Sequence, residues 1–206
     1  MKRVSVALLV VAWLLVAPGA HAQSLAVSGG LGVGQLWDDE TMLGRGLDVS
    51  GGVSTGLGDH VRVAAEVDWL KHTRTLTYLG VDGHATSALG RMSYVFGAPA
   101  SPVRPYAGVG VGLMHSTGTL KTPVVFIAAN GQPTLSTTVK ESTDWSLTQS
   151  LWDAHAGLRI AAGRRLVLRP ELRWRATFGS GASSGIEPPL LGVQGVVSLE
   201  WTPFRR

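Results

Sequence analysis

The sequence contains no cysteine, few charges and, after its first 22 residues, no long hydrophobic run. The lack of cysteine excludes disulfides, thiolate metal sites and a lipid-modified N-terminal cysteine. No later run approaches the roughly 20 apolar residues of a transmembrane helix. Charged residues make up only 16% of the chain, although its mean hydropathy is positive at +0.19. A large apolar surface therefore has few charges to cover it, which is unusual for a polar-surfaced domain.

Residues 1–22 are predicted to be a cleaved export signal. A basic start at Lys2 is followed by an apolar run over 4–16 and by a small-residue cleavage motif that ends at Ala22. The alternative, a membrane anchor, needs a run of roughly 20 residues. Residues 23–206 are predicted to form one domain, because no composition shift or charge run marks a second one.

The charge balance argues against a nucleic-acid partner. The chain has a formal charge of +4, but without the two basic residues of the leader 18 − 2 = 16 basic residues face 14 acidic ones. The excess is small, and no cluster of lysine and arginine forms a patch.

Eight segments alternate apolar residues with small or polar ones at a period of two, which indicates β-strands with one apolar face. The segments cover 25–33, 47–57, 61–69, 88–96, 106–113, 152–160, 166–175 and 191–201. A tilted strand crosses a bilayer in about 9–11 residues. Short links at 58–60, 97–104 and 163–165 alternate with longer polar stretches at 38–45, 70–84, 116–146 and 177–190. Short turns at one end and long loops at the other are typical of outer-membrane barrels.

Twelve charged residues of these segments lie on the side opposite the apolar set. With His155, they are predicted to form a charge network in a barrel lumen: Asp48, Arg62, Glu66, Asp68, Arg91, Asp153, Arg159, Arg169, Glu171, Arg173, Arg175 and Glu200. A charge that faces lipid at the bilayer midplane costs roughly 2–4 kcal/mol, so a membrane barrel turns its charges inward. Equal numbers of arginines and acids favour an ion-paired, closed interior over a wide channel.

Seven aromatic residues lie mostly at segment ends on the apolar side and are predicted to form an interfacial girdle. They are Trp37, Trp69, Tyr94, Phe96, Trp152, Trp174 and Trp201. The alternative is a soluble core rich in tryptophan, as in a periplasmic barrel of lipocalin type.

The segment 104–113, with its Arg-Pro-Tyr start and alternating glycines, and the closing strand 195–201 resemble strands of the small bacterial outer-membrane β-barrel family. This family includes the OmpA transmembrane domain, OmpX, OmpW and the opacity-type adhesins. The resemblance implies an all-β, antiparallel, up-and-down transmembrane barrel of about eight strands in a Gram-negative outer membrane. It also implies contact with lipid and lipopolysaccharide, and with the barrel-assembly machinery and periplasmic chaperones during biogenesis. Trp201 or Phe204 would be the assembly signal, and Pro170 is expected to cause a bulge.

No catalytic, cofactor-binding or metal site is predicted. Gly108, Gly110 and Gly112 lack the spacing of a nucleotide fingerprint and are expected to leave room for long arginine side chains. His115 and Ser116 invite comparison with a lipid A deacylase, but that family's H-x-S spacing is absent.

The favoured interpretation is a non-enzymatic barrel with a structural or surface-interaction role. One alternative is a porin-like carrier for small hydrophobic solutes, similar to OmpW, and another is a lipid A-modifying enzyme. The stretch 116–146 is expected to protrude as a hairpin, and an alternative is that it binds an extracellular partner.

Overall fold

The computed structural model describes residues 22–37, 42–75, 80–127, 132–178 and 190–203. These residues form strands β1 (Ala22–Trp37), β2 (Met42–Leu57), β3 (Val61–Thr75), β4 (Gly80–Val95), β5 (Val103–Ile127), β6 (Pro133–Ala161), β7 (Leu166–Phe178) and β8 (Leu191–Trp201). Each strand pairs with the next in antiparallel fashion, and β8 pairs with β1 to close the barrel. The predicted all-β, up-and-down barrel of about eight strands is confirmed. Residues 1–21 of the predicted signal peptide lie outside the described residues. Its last residue, Ala22, begins β1.

Among the described residues, no helix is long and apolar enough to cross a membrane.

Three short links join strands at one end of the barrel, here called the turn end, and they lie where the sequence predicts them. Gly58 and Gly97 have φ angles of 80° and 82°, a backbone conformation that L side chains rarely adopt. The turn at 58–60 also bonds to the end of β4, since the Val95 amide donates to the His60 carbonyl at 2.7 Å. The opposite end of the barrel is called the loop end.

The strands extend further toward the loop end than predicted. β3 continues to Thr75 and β4 begins at Gly80, although 70–84 was expected to be a loop. Most of 116–146 is likewise a hairpin of β5 and β6, with pairs from Ser116–Leu147 to Ile127–Pro133. The reason is that threonine favours strands, yet the outward residues of these segments, such as Lys71 and Thr73, are polar, so the segments give no clear apolar alternation. The predicted loops at 38–45 and 177–190 fall mainly outside the described residues.

The expected bulge at Pro170 is wrong. Pro170 pairs with Val197 in unbroken register between β7 and β8. Between β6 and β7 the same register holds on both sides of the proline, from Gly157–Glu171 to Ile160–Leu168. The sheet therefore accommodates the missing amide donor by losing pairs locally, without an inserted residue.

The strands tilt because their register is staggered around the barrel. The paired residues can be followed once around the sheet from Val63, through Met92, Val109, Ala154, Trp174, Val193, Gln35 and Arg45, back to β3 at Thr73. The total stagger is 73 − 63 = 10 residues. A stagger of this size tilts eight strands by about 40° and leaves an interior that side chains fill.

The outside of the barrel is apolar along its middle. Val33, Val111 and Leu31 expose 69%, 67% and 62% of their surface. The described residues with the lowest exposure include aspartates, glutamates and arginines. This is the reverse of a soluble fold, in which charged residues are almost never fully buried.

Candidate functional site in the barrel interior

Arg91 on β4 is the centre of the interior. Its guanidinium is almost fully buried and forms ion pairs with three carboxylates on three other strands. The distances are 2.6 Å to Asp153 Oδ2, 2.9 Å to Glu171 Oε1 and 3.1 Å to Glu66 Oε2. One side chain therefore ties β3, β6 and β7 to β4 across the lumen.

Two arginines of β7 extend this cluster toward the loop end. Arg173 lies 2.7 Å from Glu66 Oε1 and is also paired with Glu171. Arg175 binds Asp68 with two parallel hydrogen bonds of 2.6 and 2.8 Å. This two-pronged geometry is the strongest form of an arginine–carboxylate pair.

Three arginines toward the turn end share a single carboxylate. Glu200 on β8 accepts from Arg62 at 2.9 Å and from both terminal nitrogens of Arg159 at 2.8 and 2.9 Å. Arg169 lies 3.5 Å from the same carboxylate and 3.1 Å from Glu171. Positive charge therefore exceeds negative charge at this level of the interior.

Tyr106 joins the two parts of the network, a contact that the sequence did not predict. Its buried hydroxyl donates to Glu171, and Arg169 stacks over its ring at 5.2 Å. The alternation of β5 places Tyr106 on the inward side, and from this position its contact with the charge network could have been predicted.

His155 lies between Asp153 and Ser93. Its Nδ1 is 3.0 Å from Asp153 Oδ1, and its Nε2 is 2.8 Å from Ser93 Oγ. The connectivity is that of a Ser-His-Asp triad. However, Arg91 binds the second oxygen of Asp153. Ser93 is also not among the residues that line the cavity found at the turn end of the barrel, where a substrate could enter. The histidine thus serves as one more member of the polar interior.

Asp48 is fully buried, but no ion pair joins it to the other predicted network members that the structure describes. Both of its carboxylate oxygens are without a hydrogen-bond partner among the described residues. The structure therefore brings together eleven of the twelve predicted charged residues, with His155, through direct contacts.

An apolar layer closes the interior toward the loop end, and the sequence did not predict it. This apolar plug consists of Leu36, Leu43, Ala85, Leu89, Met114, Trp145, Leu147, Leu151 and Leu190. The space between the plug and the Arg175–Asp68 pair is a cavity of about 10 Å³. A cavity of that size holds about one water molecule.

Glycines on β5 make room for the arginine network. A Cβ atom at Gly110 would lie 2.8 Å from Asp153 Oδ1 and 2.9 Å from Arg91 Cγ. Both distances are shorter than a carbon atom tolerates, so only glycine fits at this position without movement of the central ion pair.

The predicted girdle aromatics lie on the outer surface at two heights. Once the register stagger is allowed for, the level toward the loop end holds Trp69, Trp152 and Trp174, and the level toward the turn end holds Tyr94 and Trp201. Tyr94 pairs with Val61, which is 69 − 61 = 8 residues from Trp69 on β3. Eight residues of a strand tilted by about 40° rise about 20 Å, close to the apolar band of roughly 25 Å that membrane barrels show. Phe96 packs against Tyr94 with ring centroids 5.0 Å apart, and Trp37 is half-buried near the loop end.

His115 and Ser116 point to opposite sides of β5. The imidazole of His115 is exposed on the outer face, 2.8 Å from Thr148 Oγ1, whereas Ser116 is buried in the lumen. The two side chains therefore form no acid–base pair with each other.

A cavity of about 210 Å³ opens at the turn end. It is lined by the charged residues Arg62, Arg104, Arg159, Arg164, Arg165 and Glu200, and by the turn residues next to them. The interior is thus layered from the turn end upward: a basic cavity, the ion-pair network and the apolar plug.

These features define a β-barrel of the transmembrane type, with an apolar outer band and a filled, charged interior. No protein-family model matches the chain, and no curated protein matches it. Among solved structures, neisserial surface protein A (NspA) is similar, with a TM-score of 0.61 and 14% identity, over 86% of this chain and 96% of that one.

Two further solved structures share the architecture. One is a major outer membrane protein from Thermus thermophilus, with a TM-score of 0.55 and 11% identity, over 85% of this chain and 99% of that one. The other is Ail, the attachment invasion locus protein of Yersinia pestis, in complex with the heparin analogue sucrose octasulfate. Its TM-score is 0.51 at 11% identity, over 87% of this chain and 97% of that one. The chain has the fold of the small outer-membrane β-barrel proteins.

Proposed function

We propose that the chain is an integral β-barrel protein of the bacterial outer membrane, exported through a signal peptide at residues 1–22, with a structural or surface-interaction role and no enzymatic activity. The observation that carries this proposal is the inversion of polarity, with apolar side chains outside and ion pairs inside. In water the exposed band would be a very large apolar patch, far above the few hundred Å² found on soluble monomers. Hydrocarbon removes that cost and in turn disfavours any outward charge.

The lumen is proposed to be closed to solutes. Arg91 and its three carboxylates cross the interior at one level, and the apolar plug fills it above. Opening a path would separate buried ion pairs, which costs several kcal/mol when one partner is left uncompensated. In planar lipid bilayers we therefore expect no stable channel conductance.

The surface role is assigned to the hairpin of β5 and β6. It extends beyond the last pair of β4 with β5, Gly80–Lys121, to the pair Ile127–Pro133. In an outer membrane a hairpin of this length would lie among lipopolysaccharide headgroups or beyond them, where it would meet an extracellular partner. Lipid and lipopolysaccharide are the proposed neighbours of the outer apolar band. The proposed partners during export are the barrel-assembly machinery and periplasmic chaperones.

Cell fractionation and gel migration test the proposal together. The protein should be recovered in the outer-membrane fraction, and its migration should change on heating, as expected of a barrel that resists detergent when cold. Recovery of the processed protein in the soluble periplasm, without heat-dependent migration, would contradict the assignment and favour a soluble barrel of lipocalin type.

A carrier for small hydrophobic solutes is the second candidate, and the apolar plug is the observation that favours it. Trp145 belongs to the plug and reports on its surroundings by fluorescence. Titration of the membrane-purified protein with octanol should leave this fluorescence unchanged if the plug is structural. Saturable quenching that disappears in Trp145→Phe would support the carrier instead.

A further inference from the structure

Among the described residues that line the turn-end cavity, positive charges outnumber negative ones. The charged lining residues are five arginines and one glutamate: Arg62, Arg104, Arg159, Arg164, Arg165 and Glu200. Arg62, Arg159 and Glu200 belong to the predicted charge network, in which arginines and acids are equal in number, whereas Arg104, Arg164 and Arg165 are additional to it. The excess therefore comes mainly from the three arginines at the turns.

Glu200, the acid among the described lining residues of this cavity, is already paired with arginines. Glu200 is nearly fully buried and binds Arg62 and both terminal nitrogens of Arg159. Arg169 approaches the same carboxylate at 3.5 Å from the network side. A single negative charge is thus shared by three guanidinium groups, so this carboxylate leaves a net positive charge around it.

Arg104 is held in place by neutral groups. Its guanidinium donates to the carbonyl of Asp59 at 2.9 Å and to those of Val95 and Gly97 at 3.3 Å. Carbonyl oxygens orient the side chain but do not cancel its charge. Arg104 therefore contributes a fixed, oriented positive charge to the cavity wall.

We propose that the turn-end cavity is a binding site for a phosphate-bearing anion. Guanidinium groups pair with phosphate through two parallel hydrogen bonds, and this geometry is the reason that arginine is favoured at such sites. Arginines on several sides of one cavity match the several acceptor oxygens of a tetrahedral phosphate better than the single plane of a carboxylate. The volume of about 210 Å³ admits a group of diphosphate size.

Two sources supply this chemistry, a free phosphate compound and an anionic phospholipid headgroup. The lining residues Arg62 and Arg159 belong to the lumen, and Arg104, Arg164 and Arg165 surround its mouth. A ligand would therefore enter along the barrel axis, away from the outer apolar band. This placement favours the free compound.

Calorimetric titration of the membrane-purified protein with inorganic pyrophosphate tests the site. The variant Arg164→Gln/Arg165→Gln removes two exposed charges from the cavity, and Arg45→Gln/Lys121→Gln removes two exposed charges from the loop end as a matched control. We expect the first variant to weaken binding at least about tenfold, which equals about 1.4 kcal/mol, and the control to bind like the unaltered protein. Circular dichroism shows whether each variant retains its strands.

A second experiment distinguishes a free phosphate compound from a phospholipid headgroup as the source of the ligand. The same proteins are placed in nanodiscs of phosphatidylcholine with and without phosphatidylglycerol, and thermal unfolding is followed. If pyrophosphate does not bind but phosphatidylglycerol raises the melting temperature only when Arg164 and Arg165 are intact, the site exists and its ligand is a headgroup. If neither probe acts, or if the loop-end control loses as much as the cavity variant, the proposal is wrong.

Discussion

Arg175 on β7 and Asp68 on β3 face each other across the barrel interior and share two hydrogen bonds, of 2.6 and 2.8 Å. Both side chains are almost completely buried. Removing one partner leaves an uncompensated charge, so we expect Asp68→Asn to lower the free energy of unfolding by about 3–5 kcal/mol. Urea unfolding in phospholipid vesicles, followed by tryptophan fluorescence, measures this change.

The double variant Asp68→Asn/Arg175→Gln distinguishes a paired interaction from two independent effects. Because the second substitution removes the charge that the first leaves unpaired, we expect the double loss to be clearly smaller than the sum of the single losses. Additive losses would mean that the two side chains are not coupled.

The centre of the ion-pair network and its turn end should differ in sensitivity to substitution. Arg91 has three carboxylate partners and a side-chain exposure of 2%, whereas Arg62 is 18% exposed and its partner Glu200 keeps Arg159. Arg91→Met should therefore destabilise the barrel by about 3–5 kcal/mol, and Arg62→Met by clearly less, in the same unfolding assay. Equal losses would contradict the central role given to Arg91.

A glycine pair tests the space that the network requires. Gly110→Ala places a methyl group within 3 Å of Asp153 and Arg91, while a Cβ at Gly29 meets nothing within 4 Å. We expect Gly110→Ala to cost about 1–3 kcal/mol through overpacking and Gly29→Ala to be neutral in the urea assay. If both alanines are tolerated equally, the interior is looser than the described contacts imply.

The hydrogen-bonded series Ser93, His155 and Asp153 is expected to be structural. His155→Gln should lower stability by about 1–3 kcal/mol, because it leaves buried polar groups without partners. A fluorophosphonate probe, which reacts with activated serines, should leave Ser93 unmodified. Mass-spectrometric detection of the adduct at Ser93, absent in Ser93→Ala, would instead show an activated nucleophile.

The faces of the strands were readable from the sequence because a membrane barrel imposes a period of two on apolar residues. The exposed Val111 between Gly110 and Gly112, and the alternation of Leu172 with Arg173, are two such places. The strand ends were not readable. Beyond the hydrocarbon the outward side of a strand is polar as well, as at Lys71 and Thr73, so the part of β3 after Trp69 and the start of β4 at Gly80 carry no clear apolar alternation.

The contents of the interior were only partly predictable. Charges opposite an apolar set are visible in a sequence, but the partner of each charge depends on the register, as with Arg175 and Asp68, which are 107 residues apart. The apolar plug was missed because leucines such as Leu43 and Leu190 lie in segments that were expected to be loops. In a sequence, a leucine that faces the lumen cannot be distinguished from one that faces lipid until the strand that carries it is known.

The lipid-facing assignment makes the most direct prediction. Leu172 is exposed in the middle of β7, paired with Ala156 and Gly195, whereas Thr73 is exposed near the loop end of β3, beside Asp82. Leu172→Arg should lower the free energy of unfolding in vesicles by roughly 2–4 kcal/mol, because it places a charge near the bilayer midplane. Thr73→Arg puts the same side chain above the hydrocarbon, where water solvates it, and should change stability by less than about 1 kcal/mol. In cells, the first variant should also reach the outer membrane in lower amount than the second. Equal behaviour of the two arginines would mean that water, and not lipid, surrounds this face of the barrel.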